Sequence, residues 1–454
     1  MTHSPIPHPS TLTPHPSTLT PHPSSLTPHP SSFLVRCDFI AASLLSFLIL
    51  LLTSCGHKDT HEETVPPAPT IDETLRQRID SFVTAVTPIG DLGMLVYDLT
   101  ADQEVYSFSP DTLMQPASCM KLFTTVAALR TFGPHAVHRT EIYTTGHLRK
   151  DTLEGNIILK VHLDPYFNAD SLSRLLSYLP KQIRHLKGNV VIDMNNPAPM
   201  QHEEHWTPGD LKTRYLSLSF TGYHRLAKLL PYVMHQATGI AVSPRDIVSG
   251  TFNPRNARLC GTIRTPLAAS VERALKVSSN INAECLLYPL GYRLNPHANY
   301  RQGGIEMLRL FINSQLLQPS DDPMRCCVLH DGCGLCPENR VTPALIVSLL
   351  RYSWQRPYIY KTLLALLPHS GIDGTLRDRL RKPHLTGRIT AKTGTLTRDD
   401  GISTLAGYFK GADGHTIAFA IMNNRCPVLD GRWWQDKLIE KAFLPKPKHT
   451  SAGK

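Results

Sequence analysis

Ser118 and Lys121 stand three residues apart in "PASCMKLFTT", where Pro116 and the helical pattern behind it mark the first turn of a helix. Side chains at i and i+3 share a helix face, so hydroxyl and amine can meet. A serine hydroxyl attacks a carbonyl only when a base takes its proton, and lysine serves as that base when burial and a second cation lower its pKa. The helix N-terminus adds partial positive charge where an oxyanion forms. The chemistry of such a pair is acyl transfer. Alone, a Ser-x-x-Lys tetrad is weak, because a merely packed helix carries two polar residues just as readily. Two further clusters add weight. "KVSSNINAECLL" supplies Ser278, Ser279 and Asn280 in a helical stretch, and "ITAKTGTL" supplies Lys392, Thr393 and Gly394 on a strand. In isolation Ser278 or Ser279 reads as a helix cap and Lys392 as a strand-end surface charge.

The elements that must position these groups follow from periodicity and turns. "DLGMLVYDLTADQEVYSFSP", from Asp91 to Pro110, reads as two strands around a turn at Thr100 to Gln103. Three more strands are expected near Gly387–Thr395, Ser403–Lys410 and Thr416–Asn423, the last two joined by "GADG". Hairpin connections imply antiparallel pairing. Helical periodicity covers Cys119–Thr131, Ala268–Leu290, Thr342–Tyr352 and Trp433–Phe443. The expected class is α+β, with one antiparallel sheet assembled from N- and C-terminal strands and flanked by helices. Catalytic-domain segments 71–145 and 251–446 would enclose an inserted subdomain, 146–250, in which "GNIILKVHL" and "GNVVIDM" look β-rich and helix-interrupted.

The three clusters, in this order, resemble the serine D-alanyl-D-alanine carboxypeptidases of the penicillin-binding-protein-4 type, peptidase family S13. "HDGCGLCPENRVTP" is similar to that family's D-G-S-G-L-S-x-x-N-R-V-T-P segment, and "LLPHSGIDGTLRDRL" to its L-P-x-A-G-x-D-G-T-L segment. The resemblance runs from roughly Leu75 to Asn424 and implies a penicillin-recognising, transpeptidase-like fold. It makes Ser118 the acylated nucleophile and Lys121 its base. It also has Ser278 and Asn280 relaying the proton to the leaving group and holding the substrate amide. Lys392 and Thr393 would bind the substrate's terminal carboxylate, Gly394 would let the strand lie close to the ligand backbone, and the N–H groups of Ser118 and Thr395 would form the oxyanion hole. The implied substrates are peptidoglycan stem peptides, cut as a carboxypeptidase and possible endopeptidase, with β-lactams as covalent inhibitors and no cofactor. A serine β-lactamase and a catalytically idle, peptidoglycan-binding lipoprotein are the alternatives. The long insertion and "DGCGL" with "NRVTP" favour the peptidase over the first, and intact Ser118, Lys121, Asn280 and Lys392 argue against the second. "HWTPGDLKTRY" resembles a degenerate G-W-x-W-x-D-D segment, in which Asp210 would contact the amino end of the peptide side chain; a plain turn aspartate fits equally well.

Around this body the chain changes character. From residue 7 to 33 it repeats "PHPSTLT" at a seven-residue period whose prolines forbid a helix. Arg36 and the apolar run Phe39–Cys55 then have the form of a signal peptide, too short for a usual membrane span. Its end, Leu52 to Gly56, resembles the lipobox of bacterial lipoproteins, with Cys55 as the lipidated residue. The expected start therefore lies near Leu34 or Val35, and 1–55 is repeat plus signal. Residues 56–70, proline-rich and polar, form a tether, and 447–454 a tail. The expected location is periplasmic, lipid-anchored to an envelope membrane. The net charge of +10 comes from scattered lysines and arginines without interleaved aromatics, so nucleic acid is not expected as a partner. Cys327, His330, Cys333 and Cys336 are crowded into one segment, where zinc ligands are normally split between two; no metal is expected there, and a local disulfide or buried thiols fit better. Cys119, Cys333 and Cys336 stand where small residues are needed, serine being the family's common choice at the last two.

Overall fold

The computed structural model describes residues 69–195, 198–207, 217–297, 299–398 and 400–446. The repeat, the signal-like run with Cys55, residues 56–68 and Asp210 lie outside the described residues.

Strands Asp91–Asp98 and Gln103–Phe108 form a hairpin, closed by the Asp98 carboxylate, which accepts from the N–H groups of Thr100 and Ala101. Strands Ile389–Leu396, Ile402–Lys410 and Thr416–Asn424 form an antiparallel meander. The two sets join through strands far apart in sequence, with Asp91 opposite Asn424 and Asp98 opposite Ile417. The result is the expected antiparallel sheet built from both ends of the folded region, with Ile389–Leu396 at one edge and Gln103–Phe108 at the other.

Both faces of this sheet are covered. Along Thr416–Asn424 every residue is buried. Ala418, Ala420 and Met422 pack into one core with helices Met120–Phe132 and Pro343–Trp354, while Ile417, Phe419 and Ile421 join a second core with Glu73–Ala85 and Val428–Leu438. Strand alternation assigns the two sets to opposite faces. The helix Met120–Phe132 is itself wrapped on all sides, with residues Met120 to Leu129 buried, as expected of a helix inside a core.

One expected helix divides in two. Leu267–Lys276 and Asn280–Leu294 are separate, and Ser278 between them has φ +57°, the left-handed region. Ser279 caps the second helix, its hydroxyl accepting from Asn282 N–H at 3.3 Å. Apolar periodicity runs through both helices, so only the Ser-Ser-Asn cap marks the break.

A second five-stranded sheet lies between the nucleophile segment and the Ser-Ser-Asn segment. Its order is Arg258–Pro266, Val137–Thr144, Ile157–Val161, Val190–Met194, Ile247–Ser249; the first two pairings are antiparallel and the last two parallel. Helices Ala169–Leu176 and Tyr223–Thr238 cover it through Leu172, Leu226 and Met234, which meet Ile142, Leu159 and Ile192. Two of its strands, Arg258–Pro266 and the neighbouring Val137–Thr144, lie beyond the 146–250 expected of the insertion, with Thr144 opposite Arg258.

Candidate active site

The nucleophile turn is a single 3-10 turn, Ala117–Cys119, leading into helix Met120–Phe132. Ala117 has φ +45°, a strained value for a residue with a Cβ. Two close approaches hold it. A Cβ on Gly334 would lie 1.8 Å from the Ala117 carbonyl oxygen, and one on Gly394 would lie 2.6 Å from that of Pro116 and 1.9 Å from Thr404 Oγ1. Gly394 is therefore required by the protein's own nucleophile turn and neighbouring strand, a different reason from the expected approach to ligand backbone. Thr404 Oγ1 donates to the Pro116 carbonyl at 2.8 Å, tying turn and sheet together.

Lys121 is fully buried, and its Nζ donates to Ser118 Oγ at 2.8 Å, Asn280 Oδ1 at 2.7 Å and the Cys333 carbonyl at 2.6 Å. Burial holds this amine below the ordinary lysine range, partly opposed by the acidic groups around it, the Asp331 and Glu284 carboxyls among them. Lys392, also fully buried, donates to Ser278 Oγ at 2.9 Å and to the Thr393 carbonyl at 2.7 Å. Burial first, and the charge of Lys121 second, bring it down to about 7. Ser118, Lys121 and Asn280 thus form one hydrogen-bonded group and Ser278 with Lys392 a second, brought side by side by the Ser278–Asn280 turn. The left-handed backbone at Ser278 leaves capping to Ser279 and directs Ser278 to Lys392.

Thr393 Oγ1 donates to Thr375 Oγ1 at 2.7 Å, and Thr395 Oγ1 accepts from Arg432 at 3.0 Å. Strand Ile389–Leu396 is the sheet edge beside Ser118. Its first half is covered by residues 368–370, through Ser370 N–H to the Ile389 carbonyl and Ala391 N–H to that of Pro368. Along Thr393–Leu396 no strand pairs on the outer side among the described residues, so the edge offers backbone groups to an extended ligand.

Three supporting groups carried no role in the sequence reading. Asp331, fully buried, accepts from the N–H groups of Cys333, Gly334, Leu335 and Cys336, and from Trp206 and Asn339 side chains, at 2.6–3.1 Å. It shapes the loop that offers the Cys333 carbonyl to Lys121. Glu284, one turn beyond Asn280, accepts from Gly332 N–H at 2.9 Å, and burial, with Asp331 nearby, pushes its carboxyl up to about 7. Thr404 was hidden on a plain strand. For Asp331 a signal existed, the "DGCGL" segment itself. Cys119 finds a place as well: its Sγ lies 3.4 Å from the Lys392 carbonyl and 3.3 Å from Thr404 Oγ1, and burial pushes the thiol up, making it a packing contact between turn and strand. The eight cysteines within the described residues are all free.

A buried lysine bridging a serine at a helix start to the asparagine of a Ser-Ser-Asn cap, whose Ser278 is held by a second buried lysine on an edge strand carrying Lys-Thr-Gly, defines a serine acyl-transfer enzyme of the penicillin-recognising kind. The comparisons agree. Residues 75–218 and 228–440 match the peptidase S13 profile, and the chain belongs to that family, the D-Ala-D-Ala carboxypeptidase 3 (S13) family. It is a serine-type peptidase of the D-Ala-D-Ala carboxypeptidase group. It is 23% identical over 425 residues to the D-alanyl-D-alanine carboxypeptidase DacB of Haemophilus influenzae, covering 75% of this chain and 86% of that protein. It is 23% identical over 440 residues to carboxypeptidase DacB of Mycolicibacterium smegmatis, covering 85% and 92%. The crystal structure of penicillin binding protein 4 from H. influenzae has the same fold, with a TM-score of 0.64 at 20% identity over 79% of this chain and 98% of that one. Asp210 and Cys55 fall outside the described residues.

Proposed function

We propose that the protein removes the terminal D-alanine from peptidoglycan stem peptides through an ester on Ser118, and that it cuts D-alanyl cross-links at the same site. The observation that carries this reading is the position of the buried Lys121 amine, 2.8 Å from Ser118 Oγ. Burial favours the neutral amine, which is the form able to take the serine proton. Ser118 Oγ then bonds to the carbonyl carbon between the two D-alanines, and the oxyanion is met by the N–H groups of Ser118 and Thr395. Ser278 relays to the departing D-alanine nitrogen the proton that Lys121 took from Ser118, which breaks the C–N bond and leaves Lys121 neutral again, while Asn280 holds the peptide amide. Lys392, with Thr393, receives the terminal carboxylate; an anion there raises the ammonium pKa back and keeps the charge in place. Water, activated by the same Lys121, cleaves the ester and restores Ser118. The substrate lies as an added strand along Thr393–Leu396.

The same constellation is an acceptor for β-lactams, and one β-lactam complex is known for the H. influenzae relative. Digestion of cross-linked muropeptides, with products weighed by mass spectrometry, tests activity and cleavage position together; wild-type digests should gain free D-alanine and separated strands. A fluorescent penicillin label that persists for many minutes fits this peptidase reading, and rapid turnover would instead point to a β-lactamase.

Export and anchoring form part of the proposal. Arg36, the apolar run Phe39–Cys55 and the Leu52–Gly56 lipobox support a diacylglycerol on Cys55, with residues 56–70 tethering the enzyme to an envelope membrane beside its wall substrate. Metabolic labelling with an alkynyl fatty acid should mark the wild type and miss Cys55→Ala.

A further inference from the structure

Beside the catalytic loop, four side chains from two distant segments converge. Glu203 and His205 come from the stretch 198–207, and His330 and Cys336 flank the loop shaped by Asp331. Glu203 and Cys336 are buried, His330 is half-buried, and His205 is exposed at the cluster's rim. One ligand atom from each, carboxylate oxygen, two imidazole nitrogens and thiol sulfur, lies within 4.8 Å of every other. Glu203 Oε1 is 2.8 Å from His205 Nδ1 and 3.9 Å from His330 Nδ1, and Cys336 Sγ is 3.6 Å from His205 Nδ1. Tetrahedral zinc, with bonds of about 2.0–2.2 Å to N or O and about 2.3 Å to S, separates its ligand atoms by roughly 3.3–3.6 Å. The separations of 2.8, 3.6 and 3.9 Å straddle that range, and with no pair beyond 4.8 Å the four atoms must draw together by about an ångström at most.

The surroundings fit metal ligands better than a plain polar cluster. Glu203 Oε2 is held by His205 N–H at 2.8 Å, which leaves Oε1 toward the imidazoles. Asn339 fixes both ends of the loop pair, its Oδ1 accepting from His330 N–H at 2.8 Å and its Nδ2 donating to the Cys336 carbonyl at 3.1 Å. Glu338 N–H donates to Cys336 Sγ at 3.4 Å, the kind of contact that stabilises a thiolate. These are outer partners that orient a first set of ligands.

We propose that Glu203, His205, His330 and Cys336 form a structural zinc site. Four protein ligands close the tetrahedron, so the ion is a clamp and supplies no water for chemistry. The mixed N, O and S set suits zinc above magnesium or calcium, which take oxygen. On binding, the Cys336 thiol proton leaves to solvent and sulfur takes its place on the metal. The ligands differ from the single-segment set weighed on sequence: Cys327 Sγ faces the Pro323 carbonyl at 3.9 Å, and the Cys333 carbonyl belongs to Lys121. The clamp ties the inserted segment at Glu203–Trp206 to the loop whose Cys333 carbonyl holds the catalytic lysine. The site stands independently of the acyl-transfer reading, and its test does not depend on activity.

The full chain, purified without a histidine tag, is dialysed against metal-free buffer, analysed for zinc by elemental mass spectrometry, then stripped and titrated with cobalt. The expected result is one zinc per chain, and with cobalt the intense visible bands of a tetrahedral ion plus a thiolate-to-cobalt charge-transfer band. Cys336→Ser should abolish the charge-transfer band, and His330→Gln should weaken zinc binding by more than the roughly 10–100-fold that loss of an outer partner costs. Cys333→Ser should keep band and stoichiometry, which separates this site from the neighbouring Glu284, Asp331 and Cys333 cluster. Chelation should lower the wild-type melting temperature, and zinc should restore it. Folded wild-type protein that binds neither zinc nor cobalt overturns the proposal, and so does an unchanged charge-transfer band in folded Cys336→Ser. Should that variant fail to fold, His330→Gln decides: wild-type zinc affinity there overturns it.

Discussion

Replacing Gly394 by alanine puts one methyl group where the sheet meets the nucleophile turn. The new Cβ would lie 1.9 Å from Thr404 Oγ1, 2.6 Å from the Pro116 carbonyl oxygen and 3.2 Å from Ala117 Cβ, whereas ordinary contact begins near 3.4 Å. Thr404 can rotate, but it then gives up its hydrogen bonds to Pro116 and Cys119. The Pro116 oxygen belongs to the backbone and must move by most of an ångström, carrying Ala117 and Ser118 with it. Overpacking of this size costs about 1–3 kcal/mol of stability. Displacing a nucleophile by about 1 Å costs on the order of 100-fold in rate. The assay is stopped-flow acylation by a fluorescent penicillin, run beside thermal unfolding. Gly394→Ala should stay folded with a lowered melting temperature and acylate between about 10-fold and 100-fold more slowly than wild type. Adding Thr404→Ala should recover part of the stability and little of the rate, since the clash with Pro116 persists. Wild-type acylation by folded Gly394→Ala would refute the claim that this close approach positions Ser118.

Glu284→Gln keeps an oxygen for Gly332 N–H and removes a negative charge that raises the Lys121 pKa. Activity requires neutral Lys121, so the acidic limb of the acylation profile should move to lower pH; an unmoved or upward-moving limb contradicts the assignment of the base. Lys392, at about 7 in the free enzyme, must be charged to hold a carboxylate, so kcat/KM for peptides ending in D-Ala-D-Ala should fall as pH rises through that value. Lys392→Ala should lower kcat/KM for those peptides by about 10- to 100-fold, the worth of a charge-assisted hydrogen bond, and do less to a carboxyl-amidated peptide. Asp331→Asn turns an acceptor of six hydrogen bonds into a group with two donors facing N–H groups, and should cost at least about 3 kcal/mol in urea unfolding.

The site was legible in sequence to the extent that its groups come as motifs of three or four residues in a fixed order. Ser118 with Lys121, Ser278 with Asn280, and Lys392 with Thr393 each announce themselves locally, and the structure brings all three together. Hairpins were legible for the same reason: the turn at Thr100 to Gln103 and "GADG" each close over a few residues. The pairing of Asp91–Asp98 with Thr416–Asn424 has no local signal and followed only from the need to complete one sheet. The break at Ser278 escaped because apolar periodicity continues through it, and the decisive feature is a backbone angle. Gly394 was noticed but assigned to ligand approach, since the Pro116 carbonyl beside it is distant in sequence. Glu284 looked like a polar position on a helix, and Glu203, His205, His330 and Cys336 were unreadable as a set because folding alone brings their two segments together. The parallel pairs of the inserted sheet, Ile157–Val161 with Val190–Met194 and the latter with Ile247–Ser249, likewise depend on crossovers through helices.

The central claim is that Ser118, deprotonated by Lys121, carries the acyl group of a peptide ending in D-Ala-D-Ala. Its most direct test is acid quenching of wild-type enzyme during turnover of such a peptide, followed by proteolysis and mass mapping of the acyl group. The account predicts an adduct equal to the peptide less one D-alanine on the fragment containing Ser118, stoichiometric D-alanine release, and neither in Ser118→Ala. D-alanine release that persists in Ser118→Ala, or an acyl group mapped to any other residue, would contradict it.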